Sequence, residues 1–560
     1  MRGSFRAYLR KSPEADNIAP ARYPRLDRWQ LATFLIAALV LAPLGIVLSS
    51  VFSPANGVWR HLVDTVLVEL LINTFWLVLG VAVGTVLLGV SLAWLTAACD
   101  FPGRRLFDWA LMLPLALPAY VTAFVSIGLL DFTGPIQTHL RAWLGSEHVW
   151  FPKIRSTGGV ILVMTLVFYP YVYLLARNAF LTQGRRAMEA AQSLGHSRWS
   201  GFFRIALPMA RPWIAGGLML ALMETLADFG AVSTFNYDTF TTAIYKAWFG
   251  MFSLPAAAQL SSLLVLIVFV ILLLEQQLRS GTRYLQVGKG SVYSERVVLK
   301  GSRGWLAFAY AALVLVVAFL IPVAQLSVWS YNVLNQDLDR RYLAFLSHSL
   351  FLGGIAALLT CGCALILVYA NRLRDNLLTR ITVRIATLGY ALPGTVLAVG
   401  VFILLSWLDS QLKTWASVLF SLDIGLFLSG TLIAMLLAYL ARFLAVAHSP
   451  IDSAMQRITP SLDEAARSLG SNGLRLLRRV HLPILRGGLL TAATLVFVDV
   501  MKEMPITLMT RPFGWDTLSV RIFEMTSEGE WERAALPAVA LVLAGLFPIM
   551  LLTKHANRDF

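Results

Sequence analysis

"EAAQSLGHSRWSGFFRIALP", Glu189 to Pro208, returns later in the chain as "EAARSLGSNGLRLLRRVHLP", Glu464 to Pro483. The glutamates differ by 464 − 189 = 275, the glycines by 470 − 195 = 275 and the prolines by 483 − 208 = 275. The same offset separates Pro118 in "ALPAY" from Pro393 in "ALPGT", so the register survives about 90 residues without a net insertion. A phase kept over that distance marks a duplicated unit, and the two halves should be built alike.

The composition says where such a unit lives. Hydrophobic residues make up 58% of the 560 and charged residues only 14%, against about half and a quarter in an average soluble domain. A membrane span needs roughly 20 apolar residues. That measure predicts spans near 30–52, 70–98, 107–130, 158–180, 213–236 and 256–277, then near 306–330, 346–370, 382–406, 426–447, 487–510 and 535–553. Six spans per half put both copies of the phrase, and both termini, on one side of the bilayer. The fold class is therefore all-α integral membrane, with about twelve transmembrane helices in two pseudo-symmetric six-helix halves related by an axis along the membrane normal. The expected divisions are a tail over 1–29, a first half over 30–278 with a polar loop at 185–212, a linker over 279–304, and a second half over 305–555 with a polar loop at 457–487.

The formal charge of +15 invites a nucleic-acid reading, but the basic residues fall in short loops beside apolar runs, where positive charge marks the cytoplasmic side. The tail holds Arg2, Arg6, Arg10, Lys11, Arg22, Arg25 and Arg28, too long and too charged for the start of a cleaved signal. Arg104, Arg105, Arg185, Arg186, Arg372, Arg374, Arg467 and Arg475 lie in loops on the same side, as does the basic linker from Arg279 to Arg303. Glu524, Glu528, Glu530 and Glu532 lie on the other. Both termini should be cytoplasmic and nucleic acid is not a partner. Cys99, Cys361 and Cys363 form no paired array of the kind zinc needs, and they read as packing residues. The histidines, His196 and His481 included, lack metal-ligand spacing.

Each copy of the phrase should make two short helices. Gly195 and Gly470 suit a left-handed position at the end of the first helix, Ser197 and Ser471 or Asn472 can cap the second, and Pro208 and Pro483 should stop it. Leu194, Phe202, Phe203, Leu469, Leu476 and Leu477 leave each unit one greasy side. One such unit alone could rest on lipid headgroups. Two in register at the base of a pseudo-symmetric bundle instead suit a two-fold symmetric cytoplasmic partner.

Glu189, Ala190, Gly195 and Pro208, with Glu464, Ala465, Gly470 and Pro483, stand where the EAA loop of type I ABC importer permeases has its motif residues, and both loops resemble it. The resemblance implies that these loops couple to a cytoplasmic ABC ATPase dimer that uses ATP and Mg, that a periplasmic substrate-binding protein delivers the cargo, and that the chain lies in a bacterial inner membrane. The twelve-span, two-loop layout is similar to that of fused ferric-iron permeases. "METLADFGAVSTFNYDTFTTAIYKAWFG" (Met223 to Gly250) and "DVMKEMPITLMTRPFGWDTLSVRIFEM" (Asp499 to Met525) resemble those permeases more than the fused thiamine or phosphonate ones. Thiamine, a phosphonate or a polyamine stay open as cargo, and an ion-coupled secondary transporter is a remoter rival. The chain itself should catalyse no covalent step and bind no cofactor. Its nearest approach to a phosphate loop, "GTRYLQVGKGS", has Arg283 where glycine is needed and Gly290 after Lys289 where Ser or Thr is required.

Charges inside the spans are the remaining signal. Glu224 and Asp228 are four apart on the fifth predicted span; Asp499 and Glu503 repeat them at the same offset of 275 with the acids exchanged, and Lys502 lies beside them. An ionised group at the bilayer centre costs on the order of 2.5–3.5 kcal/mol on insertion scales, so these groups should face a cavity or each other. They could bond helix backbones and lock the halves together, or they could line the path as relay or gate groups. A closed metal site is not expected, because tight chelation stalls transport. Tyr169, Tyr171 and Tyr173 flank Pro170 and suggest a kinked helix with its tyrosines near the interface.

Overall fold

The apolar runs form helices in the computed structural model, which describes residues 28–54, 57–146, 149–184, 197–279, 296–374, 376–420, 428–471 and 473–556. Among the described residues, eleven helices are long and apolar enough to cross a membrane. In chain order they are Arg28–Phe52, Leu67–Ala98, Ala119–Leu144, Thr157–Thr182, Phe202–Ala227, Leu254–Leu274, Ser302–Asp337, Arg340–Leu373, Gly394–Val418, Leu432–Met455 and Leu474–Lys502. The twelfth expected span falls within the helix Trp531–Ala556. They are called the first to twelfth spans below.

The first spans of the two halves are exchanged. The Arg28–Phe52 helix packs mainly on the eighth and ninth spans of the other half, where Val40, Leu44 and Val47 join a core with Leu397, Val401 and Ala441. The seventh span reciprocates: Ala307, Ala311 and Val314 are buried with Leu92, Ala93 and Phe107 of the first half. Its approach is fixed by a short parallel pairing of Val297–Val298 with Cys99–Asp100, so the described end of the linker is docked. Each half therefore embraces the other.

Three sequence expectations need correction, and all three concern breaks in helices. The third and ninth spans were expected to run through 107–130 and 382–406. Instead, a short helix (Arg104–Ala110, or Leu377–Ala386) leads into a 3-10 turn (Leu113–Ala116, or Thr387–Ala391), and the membrane helix restarts at Ala119 or Gly394. The physical cause is Pro118 and Pro393, which lack an N–H and disfavour a helical residue before them; Leu117 and Leu392 accordingly take extended angles.

The fifth span was expected over 213–236 and the eleventh over 487–510. Their helices end at Ala227 and Lys502, and Asp228 and Glu503 have extended ψ angles of 130° and 112°. Asp228 and Glu503 thus stand just past the helix ends rather than on the faces of their helices.

Pro208 and Pro483 do not stop a helix. In both halves the chain passes through a π-turn (Phe202–Ala206 and Leu477–His481) straight into the long helices Leu207–Ala227 and Leu482–Lys502. The wider π-turn lets the chain continue past a proline that would otherwise clash with the carbonyl four residues back. All four boundaries repeat at the offset of 275, so the duplication extends to these irregular turns.

The breaks free backbone groups that lipid cannot satisfy. The Leu115 N–H turns to the Met112 carbonyl (3.2 Å), and the Leu111 carbonyl takes the Tyr169 hydroxyl at 2.9 Å. Tyr173 donates to the Asp108 carbonyl at 3.1 Å. Both tyrosines are fully buried, so they are internal struts for the broken third span rather than interfacial anchors. Tyr169→Phe should therefore orphan the Leu111 carbonyl and destabilise the protein by about 1–3 kcal/mol. A lowered thermal midpoint in detergent, with Tyr171→Phe as the control, checks this.

Candidate functional site

The four breaks meet at the centre of the molecule and enclose a cavity of about 180 Å3 between the two halves. All five charged residues singled out in the sequence, Glu224, Asp228, Asp499, Lys502 and Glu503, line it. So do Arg442, Tyr120, Tyr171 and Tyr390.

The carboxylates divide into two pairs with different work. Asp228 accepts from the Ala231 and Val232 N–H groups at 2.9 and 3.2 Å, and Glu503 accepts from the Ile506 N–H at 3.1 Å. Each caps the short helix that follows the break, Gly230–Thr234 or Pro505–Thr510. A carboxylate suits this position because several orphan N–H groups and the positive end of the helix converge there. Glu503 also pairs with Arg442 at 3.4 Å. Gly394 permits that pair, since a Cβ there would lie 2.5 Å from Glu503 Oε1 and 2.6 Å from Arg442 Nη1.

Glu224 and Asp499 sit one turn earlier, within the long helices. Glu224 accepts from the Tyr390 hydroxyl of the other half at 2.9 Å. On the pseudo-symmetric side the counterpart of Tyr390 is Leu115, because 390 − 275 = 115. Leucine offers no hydroxyl, and Lys502 instead crosses between the halves to donate to the Leu115 carbonyl at 3.1 Å. The two halves are thus tied twice at equivalent places, by a phenol on one side and an ammonium on the other.

The symmetry of the backbone is not kept in the charges. At the offset of 275 the counterparts of Arg442 and Lys502 are Val167 and Ala227. Four carboxylates against two cations leave the lining with 4 − 2 = 2 negative formal charges. Among the described residues no group of three or more His, Cys, Asp or Glu side chains converges where a metal ion could be held.

The sequence reading passed over Arg442, Tyr120 and Tyr390, and it placed Tyr171 with Tyr169 and Tyr173 near the membrane interface instead of at the cavity. Arg442 was legible by the rule that drew attention to the acids, being a lone charge inside "LLAYLARFLAVA". The tyrosines carry no such signal, because only the fold separates Tyr171, at the cavity, from its buried neighbours Tyr169 and Tyr173.

The second region is the repeated phrase. Glu189, Ala190 and Gly195 lie outside the described residues; Pro208 is the second residue of the helix Leu207–Ala227. The second copy forms the helix Pro460–Ser468. Gly470 has φ +79°, its N–H donates to the Arg467 carbonyl and the Ser471 N–H donates to that of Ala466, both at 2.9 Å. This is a Schellman ending, in which glycine avoids the strain a side chain would feel. Asp463 and Ala466 face inward, while Glu464, Ala465 and Leu469 face outward, with Leu469 86% exposed. The helix is held from inside by Asp463, which receives Arg372 Nε at 3.0 Å and His481 Nε2 at 2.8 Å. Burial alone would raise the Asp463 carboxyl, but the hydrogen bonds from His481 and Arg372 outweigh it and hold the group below the ordinary carboxylate value.

Residues 85–284 and 350–560 each match the family described as "Binding-protein-dependent transport system inner membrane component". A Fe(3+)-transport system permease protein of Haemophilus influenzae is 30% identical over 496 residues, spanning 88% of this chain and 90% of that protein. A molybdenum transport system permease protein of Escherichia coli is 31% identical over 196 residues, 34% of this chain and 83% of the relative. A probable sulfate transport system permease protein of Chlorokybus atmophyticus is 28% identical over 205 residues, 36% of this chain and 70% of the relative.

Removing Arg442 should expose how tightly the central charges are balanced. Arg442→Leu leaves Glu503 buried without its counter-charge, and the expected loss is about 3–5 kcal/mol. Arg442→Leu combined with Glu503→Gln should recover much of it. Thermal unfolding of the three proteins in one detergent measures both effects.

Proposed function

Because the chain belongs to the family of inner-membrane components of binding-protein-dependent transport systems, we propose that it is a two-half permease of an ATP-driven ferric-iron importer. The observation that carries the cargo reading is the central cavity. Its lining combines carboxylates and phenols, the hard oxygen donors that ferric iron prefers, under a net negative formal charge. A sulfate-like oxyanion would be repelled by that excess. Asp228, Glu224 and Glu503 are already shared with backbone N–H groups, Tyr390 and Arg442, so a passing cation meets several weak contacts, as release on the far side requires.

Drive comes from outside the chain in this reading. The outward face of the Pro460–Ser468 helix, with Glu464, Ala465 and the exposed Leu469, docks one subunit of a cytoplasmic ATPase dimer; the phrase from Glu189 to Pro208 docks the other. ATP-bound closure of that dimer draws the two phrases together and opens the opposite end to a periplasmic binding protein; hydrolysis reverses the motion. The basic loops and both termini then lie in the cytoplasm of a bacterium, in accord with the positive-inside rule. A binding protein, rather than a co-transported ion, supplies the cargo.

Reconstitution of the permease with its ATPase and binding protein in liposomes tests the path directly. Glu224→Gln with Asp499→Asn should leave the complex assembled and lower ferric-iron uptake at least roughly tenfold, the effect of about 1.4 kcal/mol on a barrier. Undiminished uptake would remove the cavity from the path.

A further inference from the structure

The duplicated phrase keeps its glutamate, glycine and proline, but the polar residues that face inward in the second copy are replaced in the first. In the second half three polar side chains meet behind the coupling helix. Asp463 is 7% exposed and His481 wholly buried; they are 2.8 Å apart, and Arg372 reaches Asp463 at 3.0 Å. Arg372 also donates to the Ile458 carbonyl at 2.8 Å, just before the coupling helix begins, and Tyr369 donates to the Gly473 carbonyl at 2.8 Å, just after it ends. The helix is therefore bonded before, within and after its length to the eighth span, and through His481 to the start of the eleventh.

The same positions in the first half are apolar. Subtracting 275 from 463, 481 and 372 gives Met188, Ala206 and Ala97. The counterpart of Tyr369 is Trp94, whose ring packs on Phe180 and Phe202 with centroids 5.2 and 4.6 Å away. Ala97 and Ala206 are buried and carry nothing that could hold a partner in a set orientation. Apolar contact is non-directional, whereas charge-assisted hydrogen bonds fix distance and angle.

We propose that Asp463, His481 and Arg372 are positioning residues that clamp the second coupling helix to the spans, so that the two halves receive the ATPase stroke unequally, the second as a rigid lever and the first through a yielding apolar seat. This rests on the reading that both phrases dock ATPase subunits. A clamp with three directional bonds transmits rotation as well as push to the eighth and eleventh spans. The eleventh span carries His481 at one end and Asp499 and Lys502 at the other, so its tilt reaches the central cavity without an intermediary. Its partner in the first half, the Phe202–Ala227 span, has Ala206 where the eleventh span has His481.

The first half supplies the test, because its residues are a working apolar solution at the same positions. The variant Arg372→Ala/Asp463→Met/His481→Ala installs them in the second half and leaves no orphaned charge. In the reconstituted complex it should keep the ATPase subunits attached and hydrolysing, while ferric iron moved per ATP falls about tenfold, a loss within reach of one or two charge-assisted bonds. His481→Gln, which keeps a donor toward Asp463, should stay within about twofold of the parent. An unchanged transport-to-hydrolysis ratio in the triple variant overturns the proposal, as does an equal loss in His481→Gln. If the triple variant fails to accumulate, Asp463→Asn serves, with a reduced ratio expected and a parental ratio contradicting the clamp. Glu189→Ala with Glu464→Ala, in the same preparations, tests the docking reading separately: retention of the ATPase there sinks that reading, whatever the ratio does.

Discussion

A backbone N–H or carbonyl inside a bilayer must find its partner within the protein, and the architecture follows from how this chain meets that demand where its helices break. Continuous helices would satisfy every group and leave nothing at the centre. Here the third, fifth, ninth and eleventh helices are interrupted at matched places, and the freed groups are met by side chains: Asp228 and Glu503 on N–H groups, Tyr169 and Lys502 on carbonyls. The breaks concentrate polarity at mid-molecule, and the cavity is the space they leave. The structural and the transport readings of the buried acids are thus compatible. Asp228 and Glu503 act as caps that preserve the breaks, and Glu224 and Asp499 are the carboxylates one turn away that the caps leave facing the lumen.

Duplication supplies the frame and divergence the direction. The offset of 275 is kept by the π-turns, by the prolines at the breaks and by the long helix that follows each copy of the repeated phrase. It is abandoned where charge matters: Arg442 and Lys502 correspond in sequence to Val167 and Ala227, and Asp463, His481 and Arg372 to Met188, Ala206 and Ala97. A strictly symmetric pair of halves would present the cargo with identical walls. These differences give one wall cations and the Pro460–Ser468 helix a set of polar bonds, within a single chain where each half can drift without disturbing the other's register.

The repeat, the helical class and the clustering of the five charged residues were legible because they depend on sequence differences and on hydropathy, which need no coordinates. The continuity of the spans was misread because hydropathy averages over a window: it is blind to the breaks at Pro118 and Pro393 and to those at Asp228 and Glu503, and a proline alone does not tell a break from a helix that a π-turn carries onward, as at Pro208 and Pro483. The partners of the charges were hidden differently. Tyr390 meets Glu224 across 166 residues of chain and Lys502 meets Leu115 across 387, and only the packing of the two halves creates those contacts. Arg442 was the avoidable omission, an isolated cation in an apolar run that the rule applied to the acids would have caught.

The central claim is that movement of the two duplicated phrases toward each other is what opens the permease. Arg204 and Arg479 are exposed, occupy equivalent positions because 479 − 275 = 204, and lie in the π-turns within the two copies of the repeated phrase. With Cys99, Cys361 and Cys363 replaced by serine, nitroxide labels at Arg204→Cys and Arg479→Cys report the separation by pulsed electron resonance in the assembled complex. The account predicts a shorter distance when ATP is bound and a return to the longer one after hydrolysis. One unvarying distance in a complex that still accumulates iron would contradict it.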